Sequence, residues 1–155
     1  MKKKKSEEDP GKKPARTKVL FVCLGNACRS PMAESIARYD AADVIEASSA
    51  GLTPLGFLPS LTTETLSKNG YSIENLKSKG INEENFGSAD IVINMSGTPR
   101  HHAFPVYEKV EDWLVTDPYG ADAHLYQTIF ESIQRRIAQL AEGLRQKREA
   151  GSSKA

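Results

Sequence analysis

Cysteine is nearly missing from this chain: two of 155 residues, Cys23 and Cys28, five positions apart. Two thiols are too few for a disulfide scaffold or a structural zinc site, so their interest lies in their reactivity. Of the three histidines, His101 and His102 are adjacent. Neighbouring side chains diverge on a helix or a strand alike, and no third ligand stands at a metal spacing. Neither a metal nor any other cofactor is expected. No apolar run approaches the ~20 residues that span a bilayer, and no apolar segment follows Lys2 to Lys5 as a secretory leader requires. A cytoplasmic protein without stable membrane insertion is expected. Charge of one sign is also lacking. Net charge is +1, with seven Lys or Arg against three acids in residues 1–16, which leaves about −3 for the rest. A mildly acidic body does not point to a nucleic-acid partner.

What is present fits one globular domain of ordinary composition, 39% hydrophobic and 26% charged. Residues 1–16 have almost nothing apolar to offset the entropy of ordering and read as a disordered basic and polar tail. Residues 17–148 read as the folded domain and 149–155 as a frayed end. Apolar runs at Val19 to Leu24, Val44 to Ser49, Ile91 to Ile93 and Val110 to Val115 suit short buried strands. Helical patterns cover Pro31 to Asp40, Ser60 to Asn69, Asn82 to Phe86 and Asp122 to Arg148. In the last of these, Leu125, Ile129, Ile133, Ile137, Leu140 and Leu144 form one stripe. Strands alternating with helices predict an α/β fold around a four-stranded parallel sheet with right-handed crossovers. Ligands of such sheets sit at the carboxyl ends of the strands.

At the first such end the chain reads Cys23-Leu-Gly-Asn-Ala-Cys-Arg-Ser-Pro31. Gly25 and Asn26 are the residue types that most readily adopt positive φ. Ser30 can cap a helix and Pro31 suits its first turn. Strand, tight loop, helix is an arrangement that turns backbone N–H groups toward an anion at the positive end of a helix. A thiol beside Arg29 and a helix N-terminus is expected to fall from about 8.5 into the range of roughly 3.5–7.5. Cys23 then reads as a nucleophile under a bound phosphate rather than a small hydrophobe ending a strand.

The run Cys23 to Glu34 resembles the signature of the low-molecular-weight protein tyrosine phosphatases, whose fold is shared with thioredoxin-coupled arsenate reductases. The resemblance continues through Ser49-Ala50-Gly51, Asp90 to Met95 and Asp117-Pro118-Tyr119-Gly120. It implies a single-domain three-layer sandwich of the phosphatase I type. It also implies a phosphotyrosine protein or small aryl phosphate as substrate and a phosphocysteine intermediate. Cys23 is then the nucleophile, Arg29 the phosphate clamp, and Asp117 the acid that protonates the leaving group. Leu24, Gly25, Asn26, Ala27, Cys28 and Ser30 form the phosphate loop, with Ser49 bonded into it. Tyr119 is implied as an aromatic wall, while Gly120 stands where relatives carry a second tyrosine. Leu52, Leu55 and Phe57 are candidates for the opposite wall or for core packing. Asn75 stands where many relatives carry a histidine that holds the loop asparagine; its amide can reach for Asn26, and the sequence leaves open whether it restores that bond. A reversible Cys23–Cys28 disulfide is implied as well, against simple packing of Cys28.

Two other functions compete. Arsenate reduction uses the same loop but needs further thiols, and no cysteine follows Cys28, which disfavours the route unless Cys28 or an external thiol substitutes. A phosphopeptide-binding module without turnover is the third reading. Sequence does not set the oligomeric state.

Overall fold

Alternation along residues 17 to 23 decides the layering, because successive side chains of a strand point to opposite faces. In the computed structural model, which describes residues 15–154, these residues form strand β1 (Thr17–Cys23). Val19, Phe21 and Cys23 enter one buried cluster, and Leu20 and Val22 the other. Residues 1–14, most of the expected tail, lie outside the described residues. Arg16, also placed in that tail, donates to the carbonyls of Ala42 and Ile45.

The sheet is completed by β2 (Ile45–Gly51), β3 (Ile91–Asn94) and β4 (Val110–Asp112), in the order β2-β1-β3-β4 with every pair parallel. The register runs from Thr17 opposite Ile45 to Cys23 opposite Gly51, so β2 extends two residues past the expected end. The edge strand β4 stops short of Val115, because β3 offers it partners only from Val92 to Asn94.

Helices cover both faces, as an all-parallel sheet requires. One layer holds α1 (Arg29–Asp40), α2 (Ser60–Lys68) and α5 (Ala123–Lys154). There Met32, Ile36, Ile133 and Ile137 are fully buried with Phe21 and Ile93. The other holds the short α3 (Glu83–Ser88) and α4 (Arg100–Ala103). Phe86 and Phe104 stack there at 5.7 Å. Trp113 is 7% exposed and packs on Phe21.

Two helix ends differ from expectation. Ser30 is not a cap: α1 begins at Arg29, and the Ser30 hydroxyl is engaged elsewhere. The last helix continues to Lys154 rather than ending at Arg148. Adding residues to a nucleated helix costs little. Arg145 of this helix grips Asp43, holding that carboxyl down at about 2 through paired hydrogen bonds.

Candidate active site

Cys23 is the last residue of the interior strand β1, and α1 begins six residues later. The chain turns between them through Asn26, whose φ of 47° lies in the left-handed region that asparagine tolerates. Gly25, expected to share that conformation, does not; its φ is not positive. The N–H groups of Gly25, Asn26, Ala27 and Cys28 donate to no partner among the described residues. Gly25, Ala27 and Cys28 border a cavity of about 210 Å³ that Cys23 and Arg29 also line. Unmatched donors at a helix N-terminus form a site for an anion.

Arg29 is held rigidly. Its Nη1 donates to the carbonyls of Met95 at 2.6 Å and Val115 at 3.2 Å, and its Nη2 lies 3.4 Å from Asp117 Oδ2. Nε is buried and has no partner among the described residues. A fixed guanidinium with an unmatched donor suits an oxyanion. Asp117 comes from the segment after β4 and is half-exposed. Tyr119, Leu24 and Leu55 form an apolar rim. At Gly120 φ is +81°, so the tyrosine that relatives carry there would be strained in this backbone.

Around the sulfur the donors converge. Ser30 Oγ lies 3.0 Å and Ser30 N 3.4 Å from Cys23 Sγ. Asn26 Nδ2 donates to Ser30 Oγ at 2.8 Å and to Ser49 Oγ at 3.0 Å. Its Oδ1 accepts from the backbone N–H of Lys79 at 2.8 Å. Ser49, from β2, donates to Glu34 Oε1 at 2.5 Å, and Glu34 is ion-paired with Arg38. Asn75 is exposed at φ 65° and makes no bond to Asn26, which answers the question the sequence left open. The Lys79 main chain takes that place.

The Cys28 sulfur meets Tyr126 Oη of α5 at 3.2 Å. Burial pushes both the Cys28 thiol and the Tyr126 phenol up. Both cysteines are free. Thr62 donates to the Ala27 carbonyl and ties α2 to the loop.

A second loop is stitched to the first by backbone hydrogen bonds: Leu52 to Cys23, Thr53 to Leu24 and Leu55 to Gly25. This places Leu55 on the cavity, whereas Leu52 packs on the opposite side of the sheet and Phe57 is exposed outside it. Gly51 permits the approach, since a Cβ there would stand 2.8 Å from Asn26 N and 2.9 Å from the Leu24 carbonyl. Glu34, Thr53, Thr62, Lys79 and Tyr126 are site residues that sequence reasoning did not assign. Glu34 alone lay inside the quoted signature. Among the described residues no cluster of His, Cys, Asp and Glu suits a metal, and no helix is long and apolar enough to cross a membrane.

Residues 18–150 match the family described as low molecular weight phosphotyrosine protein phosphatase. A glutaredoxin arsenate reductase of Synechocystis is 30% identical over 125 residues, covering 79% of this chain and 95% of its own. The crystal structure of a low molecular weight protein tyrosine phosphatase from T. tengcongensis superposes with TM-score 0.74 at 34% identity, covering 83% and 99%. The YwlE arginine phosphatase from Geobacillus stearothermophilus gives 0.79 at 25%, covering 86% and 96%.

Proposed function

Because this chain belongs to the low molecular weight phosphotyrosine protein phosphatase family, we propose that it hydrolyses aryl phosphate monoesters, phosphotyrosine foremost, through a phosphocysteine. The observation that carries this reading is the convergence on one cavity of Cys23, the buried Arg29 and Asp117, the last two 3.4 Å apart.

The phosphate enters with its oxygens toward the loop N–H groups and Arg29, which stabilise the charge that develops at phosphorus. Cys23, as thiolate, attacks in line: an S–P bond forms and the P–O bond to the aryl group breaks. Asp117, in its acid form, gives its proton to the departing phenolate oxygen. Phenol has a pKa of about 10, so the proton matters to departure. In the second step Asp117 takes a proton from water, whose oxygen attacks phosphorus. The S–P bond breaks, releasing inorganic phosphate, and Ser30 Oγ, 3.0 Å from the sulfur, stabilises the returning thiolate. Tyr119 and Leu55 offer apolar surface for an aryl ring.

Arsenate reduction is the second reading, supported by the Synechocystis relative. It requires Cys28 or an external thiol as electron donor, since no cysteine follows Cys28.

The test compares turnover of peptides carrying phosphotyrosine, phosphoserine or phosphoarginine with arsenate-dependent thiol oxidation in the presence of glutathione or thioredoxin. The expected result is phosphotyrosine turnover, lost in Cys23→Ser, with no arsenate-dependent oxidation. Oxidation without phosphatase turnover establishes the second reading. Preference for phosphoarginine overturns the aryl assignment, and binding of phosphopeptides with no turnover of any kind overturns the enzyme.

A further inference from the structure

Residues 113–122 join β4 to α5 without belonging to either, and Asp117 rides on them. An acid on such a segment is placed only as well as the segment's anchors allow, and a misplacement of about 1 Å can cost about 10²-fold in rate. At the start of the segment the anchors are specific. The Trp113 N–H donates to the Asn94 carbonyl at 2.9 Å, and the Val115 carbonyl accepts from Arg29 at 3.2 Å. Trp113 and Val115 are buried, but Leu114 between them is 86% exposed, so packing does little to hold it. Its carbonyl accepts instead from Arg136 Nη2 at 3.1 Å. The same guanidinium lies over the Trp113 ring, 5.7 Å from its centroid, within reach of a cation–π attraction. Arg136 stands on α5 beside Ile133 and Ile137, both fully buried. Among the described residues no carboxylate pairs with it. Its contacts go to two successive residues of the segment that leads to Asp117.

We infer that Arg136 is a positioning residue for the proton donor: by holding Trp113 and the Leu114 carbonyl from α5, it fixes the stretch that presents Asp117 to the cavity. The inference rests on the reading of Asp117 as the acid. Arg136 is not among the residues that line the catalytic cavity, so it acts through the segment alone. Arg29 is less sensitive to its loss, because the Met95 carbonyl holds the same Nη1 at 2.6 Å. Phosphate binding should therefore survive a change that impairs proton delivery.

Arg136→Met removes the donor and the charge while keeping an unbranched apolar stem beside Trp113. The readout is kcat/KM, which covers the steps up to departure of the leaving group, for a phosphotyrosine peptide and for p-nitrophenyl phosphate. A loss of about tenfold is expected on the peptide and of less than about twofold on p-nitrophenyl phosphate, with inhibition by inorganic phosphate unchanged. Beside Asp117→Asn the loss on the peptide should vanish, since no proton is left to place. Simple destabilisation would instead strike both substrates alike and add to Asp117→Asn.

A second readout needs no turnover. Trp113 is the only tryptophan of the chain, so its emission reports on the segment directly. Acrylamide quenching is expected to rise in Arg136→Met, and Arg136→Gln, which is too short to reach the Leu114 carbonyl, is expected to behave in the same way if Arg136→Met folds poorly. Equal losses on the two substrates, a loss that adds in full to Asp117→Asn, or unchanged quenching in a folded variant overturns the inference. If Asp117→Asn itself fails to discriminate between the substrates, the acid reading falls and the inference with it. If Asp117→Asn discriminates and Arg136→Met does not, the inference alone is overturned.

Discussion

Asp117 Oδ2 and Arg29 Nη2 meet at 3.4 Å, the one carboxyl half-exposed and the other side chain buried. The arginine does not depend on this contact for its position, since the carbonyls of Met95 and Val115 hold its Nη1. Removing the carboxyl should therefore leave the phosphate cradle standing and take away only the proton.

Asp117→Asn is expected to lower kcat for a phosphotyrosine peptide by about 10²–10⁴-fold. The loss should be smaller for p-nitrophenyl phosphate, whose leaving group needs less protonation, and competitive inhibition by inorganic phosphate should persist. Steady-state kinetics on the two substrates decide it. Equal losses on both would assign Asp117 a structural role.

Gly51 carries the second prediction. A methyl group there meets Asn26 N at 2.8 Å and the Leu24 carbonyl at 2.9 Å, both backbone atoms of the loop. Gly51→Ala is expected to destabilise the fold by about 1–3 kcal/mol. It should also cost a larger share of the activity than of the stability, because the displaced atoms border the cavity. Gly143→Ala, with nothing within 4 Å, is the control. In a helix interior it should be stabilising by about 0.5–1 kcal/mol. Urea denaturation with parallel turnover assays checks both.

Alkaline pH supplies the third. Burial raises Cys28 above its ordinary 9.0 and Tyr126 above its ordinary 10.0. The unfolded chain therefore loses these protons first, and stability that is complete below about pH 9 declines as pH rises further. Unfolding free energy measured at pH 7 and pH 10 should fall less in Tyr126→Phe than in the parent. An equal fall would place the alkaline sensitivity elsewhere.

The loop and its catalytic candidates were legible because their meaning is local. Cys23, Arg29 and Ser30 lie within eight residues, and the turn residues between them announce the bend. The strands were legible from their apolar runs. The last helix was only partly so: Leu125 begins the expected stripe but Tyr126 is the residue buried beside the site. A helix read in steps of four drifts against its true period of 3.6. Lys79 was invisible for a different reason, since it supports Asn26 with a backbone N–H that almost any residue supplies. Glu34 carried no mark in the sequence beyond ending the signature run. Only the arrival of Ser49 from β2 shows that it is buried and engaged.

The loop that carries Thr53 and Leu55 is fastened to residues 23–25 by peptide groups, with the Ser78 hydroxyl bridging the Gly25 carbonyl and the Gly56 N–H, and by no side chain of Thr53 or Leu55. Side chains facing the mouth are thus free of any duty to the cradle beneath them. Exchanging Leu55 for a bulkier or a polar residue alters which leaving groups fit without loosening the machinery that handles phosphorus, so taste and power in this scaffold are separately adjustable.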